Sequence, residues 1–259
     1  MKPSKYIQKT FRKGIFIGKF IKLARLFQHS FYYVFRKKIG SYPEPPKNIE
    51  EIGFFDKNRR VHTEADNETY FNDLNLYSGG DYKVMKPGVI SLMKRDDTIM
   101  VRKTFSGVQK YNKFYNELIC LHLLRDIGQV PKVVYVDYSK CGIYLEYLDG
   151  LSVSRNRLDN KLEVNAENFS FLKEGYATLL DKLHEKEVMM YDLRHDNMMI
   201  YNSRCYLLDF GDSVYTGNFL SYFTHKLKKI DFNLLDKELY RSATDESIKN
   251  QLRKESYVK

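Results

Sequence analysis

Tryptophan is absent from the 259 residues, and cysteine occurs three times, as Cys120, Cys141 and Cys205. An odd number of cysteines at no metal-ligand spacing excludes a disulfide framework and a cysteine zinc site, and fits a reducing compartment. The six histidines are scattered without an HExxH pattern, so each reads as structural rather than as a ligand. No run of eighteen uncharged apolar residues exists, which excludes a membrane span of the usual kind, and charges break every apolar stretch that could form a secretory signal. There is no internal repeat and no low-complexity tract. What remains is a chain with 43% hydrophobic residues, enough to bury a sizeable core.

The most informative absence is local. Residues 1–40 contain no aspartate or glutamate but hold eleven of the 43 Lys and Arg. The other 219 residues keep 32 basic against 33 acidic side chains, a net charge of −1 against +10 for the whole chain. A near-neutral body gives no sign of nucleic-acid binding, so any partner recognised by positive charge belongs to the arm. Within it, Phe16, Phe20, Leu23, Ala24, Phe27, Phe31 and Val34 recur at three- and four-residue spacing, while Arg12, Lys19, Lys22 and Arg25 fall opposite. That is the composition of a basic amphipathic helix lying on an anionic membrane surface, where each cation near the lipid adds on the order of 1 kcal/mol. Packing of the apolar stripe on the body is the competing reading, with a targeting peptide or a nucleic-acid arm behind it.

The segment Ser41-Tyr-Pro-Glu-Pro-Pro46 closes the arm, because prolines favour extended backbone and stop helices. The organisation expected is an arm over 1–40, a linker over 41–50 and a domain over 51–259, with lobes meeting near 147/148. In the domain, Val89–Met93 and Thr98–Val101 are β-rich runs joined by the polar turn Lys94–Asp97. A helix is expected over Tyr111–Arg125, strands at Pro131–Val136 and Gly142–Tyr147, and a long helix over Phe169–Glu185. Short strands are expected at Val188–Tyr191, Met198–Tyr201 and Cys205–Asp209. Strands first and a helix-rich half afterwards make an α+β pattern with two lobes.

The chemistry concentrates between Leu183 and Gly211. Asp192 and Asn197 are separated by four residues, and Leu207-Leu-Asp209-Phe-Gly211 follows, with Asp209 twelve residues beyond Asn197. This combination resembles the catalytic and metal-binding loops of the protein-kinase-like superfamily. The resemblance covers about residues 84–211 and implies a two-lobed kinase-like fold, here with a reduced C-terminal lobe. It implies ATP and Mg²⁺ as cofactors. Asp192 is implied as the carboxylate that accepts the proton of an attacking hydroxyl, and Asn197 and Asp209 as the Mg²⁺ ligands, consistent with that ion's preference for oxygen donors. Gly211 is expected to permit a tight turn after the metal ligand. Lys103 at the end of a strand and Glu117 on the next helix match the pair that positions the α- and β-phosphates. Glu146 and Leu148 fall at the adenine-contacting hinge. Arg194 stands where many kinases place a lysine near the transferred phosphate. His195 and Asp196, inside the same loop, read as filler facing solvent, with substrate contact as the alternative.

Three departures from the family pattern narrow the branch. Tyr191 precedes Asp192 in place of a His-Arg pair. No glycine-rich GxGxxG loop is evident; Ser78-Gly-Gly80 and Lys86-Pro-Gly88 are the candidates. Only 48 residues follow Gly211, without an Ala-Pro-Glu motif. The chain thus resembles the lipopolysaccharide-core sugar kinases and the RIO-like atypical kinases. The implied acceptor is a hydroxyl on a membrane-associated, lipid-linked sugar, with the enzyme cytoplasmic and peripheral on the inner membrane face. An atypical protein serine/threonine kinase is the alternative. A pseudokinase fits less well because Lys103, Asp192 and Asp209 are all present, and a choline- or aminoglycoside-type kinase would need a larger C-terminal half.

Overall fold

The computed structural model describes residues 42–55, 61–62, 90–107, 110–153, 161–217 and 221–257. The arm over 1–40 and both candidate phosphate loops, 78–80 and 86–88, lie outside them. The described residues form a mixed α and β structure built on an antiparallel sheet. Its strands are β1 (Glu50–Phe55), β2 (Val61–His62), β3 (Ile90–Arg95), β4 (Thr98–Thr104), β5 (Val133–Asp137) and β6 (Gly142–Glu146), in the order β2-β1-β3-β4-β6-β5. The β3–β4 hairpin forms, but its turn is shorter than the expected Lys94–Asp97: Lys94 and Arg95 pair with Ile99 and Thr98, leaving Asp96-Asp97 as a two-residue turn with Asp96 left-handed at φ 53°. In register, Lys103 of β4 lies between Ile90 of β3 and Ile143 of β6, while Arg102 lies between Ser91 and Tyr144. Alternation along β4 therefore sends Lys103 and Arg102 to opposite faces, and Arg102 pairs with Glu51 at 2.7 Å.

Helix α1 (Lys110–Leu123) follows β4. Phe114, Leu118 and Leu121 recur at helical spacing and are buried, with Glu117 on the same inward side. Helix α2 (Phe169–Glu185) has the bounds expected from its apolar period; Phe169, Leu172, Tyr176, Leu179, Leu180 and Leu183 form its buried stripe. It ends where Glu187 turns left-handed at φ 60° and its N–H reaches back to the His184 carbonyl at 3.1 Å. Gly175, inside α2, allows the helix to lie against the hairpin below it. A Cβ there would meet Cys205 Sγ at 2.5 Å.

That hairpin is β10 (Met198–Tyr201) with β11 (Arg204–Leu207), flanked by β7 (Leu151–Val153) and β8 (Lys161–Leu162) in the order β11-β10-β7-β8. A two-stranded ladder pairs β9 (Val188–Met189) with β12 (Val214–Tyr215). Helices α3 (Ser221–Ser242) and α4 (Glu246–Tyr257) complete the described residues. One buried cluster runs from Phe114 and Leu118 of α1 through Leu179 and Leu183 of α2 to Leu235 and Leu239 of α3, so strand-rich and helix-rich halves share a core. The described part of the proline segment is tied to the domain: Val136 N donates to the Pro43 carbonyl at 3.1 Å, and Tyr42 stacks edge-on to His122. No described helix is long and apolar enough to cross a membrane.

Candidate active site

The site is assembled from β4, α1 and the loops at both ends of the β10–β11 hairpin. Lys103 Nζ donates to Glu117 Oε2 at 2.5 Å and to Asp209 Oδ1 at 2.6 Å. The expected strand-lysine and helix-glutamate pair is therefore formed, and the lysine also reaches the expected metal ligand. Glu117 is almost completely buried and the Lys103 side chain nearly so. Burial pushes the Glu117 carboxyl up to about 7; Lys103 opposes this and the Asp209 charge adds to it. For Lys103, burial disfavours the ammonium, but the two carboxylates outweigh it and raise its pKa. For Asp209, burial is likewise outweighed, here by Lys103, and the pKa is lowered.

The hairpin sets the distance between the two loops. Met198 pairs with Leu207 in register, and Leu208 N donates to the Asn197 carbonyl at 2.9 Å, which places Asn197 beside the Leu208–Asp209 step. Asn197 donates through Nδ2 to the Asp192 carbonyl at 3.0 Å. Its Oδ1, and Oδ2 of Asp209, have no partner among the described residues. Two hard oxygen donors from adjacent backbone suit Mg²⁺, which takes few protein ligands and completes its shell with water and phosphate. Charge points the same way: Glu117, Asp192 and Asp209 stand against Lys103 and Arg194, leaving an excess of one negative charge if all five are ionised.

Asp192 forms an ion pair with Arg194, Oδ2 to Nη2 at 3.2 Å, with both side chains partly open to solvent. Its pKa is raised, chiefly by burial, against the pull of Arg194. The remaining two expected residues are placed differently. Glu146 spends its carboxyl on the Lys132 N–H at 2.9 Å, and Leu148 packs with Met199 and Tyr206 in an apolar cluster beside Leu208. Neither makes a hydrogen bond to the Lys103–Asp209 centre.

Gly211 lies in a turn directly after Asp209, and the left-handed residue of that turn is Asp209, at φ 63°. The small size of Gly211 also matters, because a Cβ there would lie 3.4 Å from Glu117 Oε2. One expectation is corrected. His195 is no solvent-facing filler. Its N–H and its Nδ1 meet Glu238 Oε2 at 3.3 and 3.1 Å, and its Nε2 pairs with Asp196 at 3.1 Å. These partners raise its pKa to about 9, with the Asp196 hydrogen bond the largest cause and Glu238 the next. Glu238 is itself buried on α3 and also holds Arg241 at 2.7 Å.

Sequence reasoning missed Glu238, Asp231 and Asn116. Asp231, fully buried on α3, accepts the N–H of Met190 at 2.8 Å and of Tyr191 at 2.7 Å, and meets His184 Nε2 at 2.8 Å. Tyr191 is left-handed at φ 55°, an uncommon state for a bulky residue, and the two backbone bonds to Asp231 hold it there. This turn delivers Asp192. The only signal for Asp231 in the sequence was an acidic residue interrupting the apolar face around Leu227, Ile230 and Leu235, which reads equally well as a helix register error.

No family model matches the chain, and no curated protein matches it. Among the solved structures that match is a crystal structure of the BubR1 kinase domain, at 15% identity and a TM-score of 0.48, over 60% of this chain and 57% of that one. The match spans less than two thirds of that domain's length.

Proposed function

We propose that the protein is an ATP- and Mg²⁺-dependent phosphotransferase acting on a hydroxyl group. The observation that carries this reading is the joining of Lys103 to both Glu117 and Asp209, with Asn197 and Asp192 one hairpin end away. The three come from a strand, a helix and a distant loop, and a buried cation between two carboxylates is costly to assemble without a use. Lys103 would hold the α- and β-phosphates, fixed in place by Glu117. Asn197 Oδ1 and Asp209 would hold the metal, which supplies charge neutralisation at the transferring phosphoryl group. Asp192, made more basic by burial, would orient the acceptor hydroxyl and take its proton. Arg194, free to leave Asp192 when the phosphates arrive, would stabilise the developing negative charge.

The domain is proposed to consist of two lobes meeting near residues 147/148, with the nucleotide against Glu146–Leu148 and the apolar Leu148–Met199 cluster. The acceptor proposed is a membrane-associated, lipid-linked sugar of the lipopolysaccharide-core type. The support is the acid-free amphipathic arm of residues 1–40, which would hold the enzyme on the anionic inner face of a membrane. The test uses γ-labelled ATP with Mg²⁺, purified protein, and membrane and soluble fractions of source cells, with Asp192→Ala run in parallel. Label in glycolipid-extractable material from the wild type alone supports the whole reading. Label on polypeptides keeps the phosphotransferase and replaces the acceptor by protein. Absence of Asp192-dependent label from both fractions refutes transfer to a macromolecular or lipid acceptor.

A further inference from the structure

Helix α1 carries three polar side chains beside the loop that follows β11: Lys113 and, one turn on, the consecutive pair Asn116 and Glu117. Glu117 holds Lys103. Lys113 meets Asp212 Oδ2 at 2.8 Å, a half-exposed pair that solvent screens. Between them, Asn116 Nδ2 donates to the carbonyls of Phe210 at 3.2 Å, Gly211 at 3.0 Å and Ser213 at 2.7 Å. One amide group has two hydrogens, so three acceptors share them. Three carbonyls within four residues converge on one nitrogen only when the loop is tightly curled.

That curl begins at Asp209. A non-glycine residue in the left-handed region is strained and persists where its surroundings over-determine it. The bonds Gly211 N to Asp209 Oδ1 at 3.3 Å and Ser213 N to the Phe210 carbonyl at 3.1 Å are internal to the loop and would travel with it. Ser213 Oγ adds a long contact to the Met190 carbonyl, 3.4 Å. Glu117 also takes a backbone hydrogen bond from Phe210, but Asn116 is the α1 side chain that gathers the loop's carbonyls, those of residues 210, 211 and 213.

We propose that Asn116 is a positioning residue for the metal-binding loop. It fixes the carbonyls of residues 210–213 against α1, and so keeps Asp209 in the conformation that offers a carboxylate oxygen to a divalent cation. Because Glu117 is the next residue of the same helix, the phosphate-positioning lysine and the metal ligand are set by one rigid body. This inference rests on the phosphotransferase reading.

The test compares the full-length wild type with Asn116→Asp, which turns the donor group into an acceptor facing three carbonyls, and with Asn116→Ala. ADP affinity is measured by calorimetry with Mg²⁺ and with a chelator, and backbone hydrogen exchange is followed over residues 210–213 in metal-free protein. In the wild type, Mg²⁺ tightens ADP binding. In Asn116→Asp that gain falls by about tenfold, metal-free ADP affinity stays within about threefold, and exchange over 210–213 accelerates. A merely structural defect would weaken both affinities together. A gain from Mg²⁺ equal to that of the wild type, with unchanged exchange, overturns the role of Asn116 and leaves the phosphotransferase reading standing. Absence of any Mg²⁺ effect on the wild type refutes that reading, and the role with it. If Asn116→Asp fails to fold, seen as loss of metal-free ADP binding, Asn116→Ala is judged by the same outcomes.

Discussion

Replacing Asp231 by alanine should cost more stability than any other single change on α3. Its carboxylate accepts two backbone N–H groups and one imidazole N–H at 2.7–2.8 Å, and it is fully buried. Alanine leaves three donors without partners in a place water does not fill. Each buried unsatisfied donor costs about 1–3 kcal/mol. The missing side-chain volume adds a small cavity, and release of Tyr191 from its left-handed state returns about 1 kcal/mol. The sum is a destabilisation of roughly 4 kcal/mol, a large share of the roughly 5–15 kcal/mol that holds a domain together. The change Asp231→Asn would keep one acceptor oxygen and turn an NH₂ toward a donor, for about half that loss. Urea unfolding followed by tyrosine fluorescence and by far-ultraviolet circular dichroism measures this as a fall in midpoint at constant slope. The two probes must coincide for the comparison to hold. A loss under about 1 kcal/mol for Asp231→Ala would show that the Tyr191 turn stands without Asp231 and that the account of how Asp192 is delivered is wrong.

Asp192→Ala should lower turnover by about 10³-fold, the contribution of a positioned proton acceptor, with ATP affinity within about twofold of the wild type. Turnover surviving the change would mean another residue orients the acceptor. The His195 latch predicts a pH dependence of stability. Its folded pKa of about 9 exceeds the ordinary value of 6.5, so the folded state binds the proton more tightly. The stabilisation is therefore complete below pH 6.5 and lost as pH rises through 9. The shift corresponds to about 3 kcal/mol, reduced to about 1–2 by solvent screening at half-exposed Asp196. Unfolding free energies from urea at pH 6 and pH 10 should differ by that amount in the wild type and by much less in His195→Gln; an equal difference in both proteins would refute this role of His195. All three cysteines are buried, with the Cys205 thiol pushed up to about 12 by burial. A thiol reagent at pH 8 should label none of them until urea unfolds the chain, and rapid labelling of the folded protein would show the α2–hairpin contact at Gly175 to be open.

The parts of the fold legible in the sequence are those whose pattern repeats. The seven-residue drift of Phe169, Tyr176 and Leu183 placed α2 at its observed bounds, and the β3–β4 hairpin announced itself by a four-residue polar run. Strand β1 escaped because Glu50-Glu-Ile-Gly-Phe-Phe55 has two acids and a glycine, and it becomes a strand through pairing with β3 rather than by propensity. Helix α3 escaped because its charges are spread around its circumference. The site residues divide in the same way. Lys103, Glu117, Asp192, Asn197 and Asp209 were legible because their chemistry demands particular residue types at particular spacings. Asn116, Asp231 and Glu238 were not, because each acts on backbone groups that every residue carries. An acceptor or donor aimed at a main-chain group leaves no requirement on the sequence of its partner.

Those three unreadable residues explain how the readable ones are held in place. Asp209 and Tyr191 both occupy left-handed backbone, and the His195–Asn197 turn is a single 3₁₀ turn with no side-chain cap. None of these loop conformations would be stable alone. Each is restrained from outside by polar side chains: Asn116, with Lys103 and Lys113, for residues 209–213, Asp231 for the step into Asp192, and Glu238 for the turn carrying Asn197. Burying a carboxylate with three donors contributes little net stability compared with an apolar residue of the same volume, so hydrophobic economy alone would not favour two of them on one helix. What such groups supply is a fixed direction. Asp231 and Glu238 lie two turns apart on the same inward face of α3, and each binds the 190–195 loop on one side of Asp192. The loop is thereby held at both ends by a single rigid element.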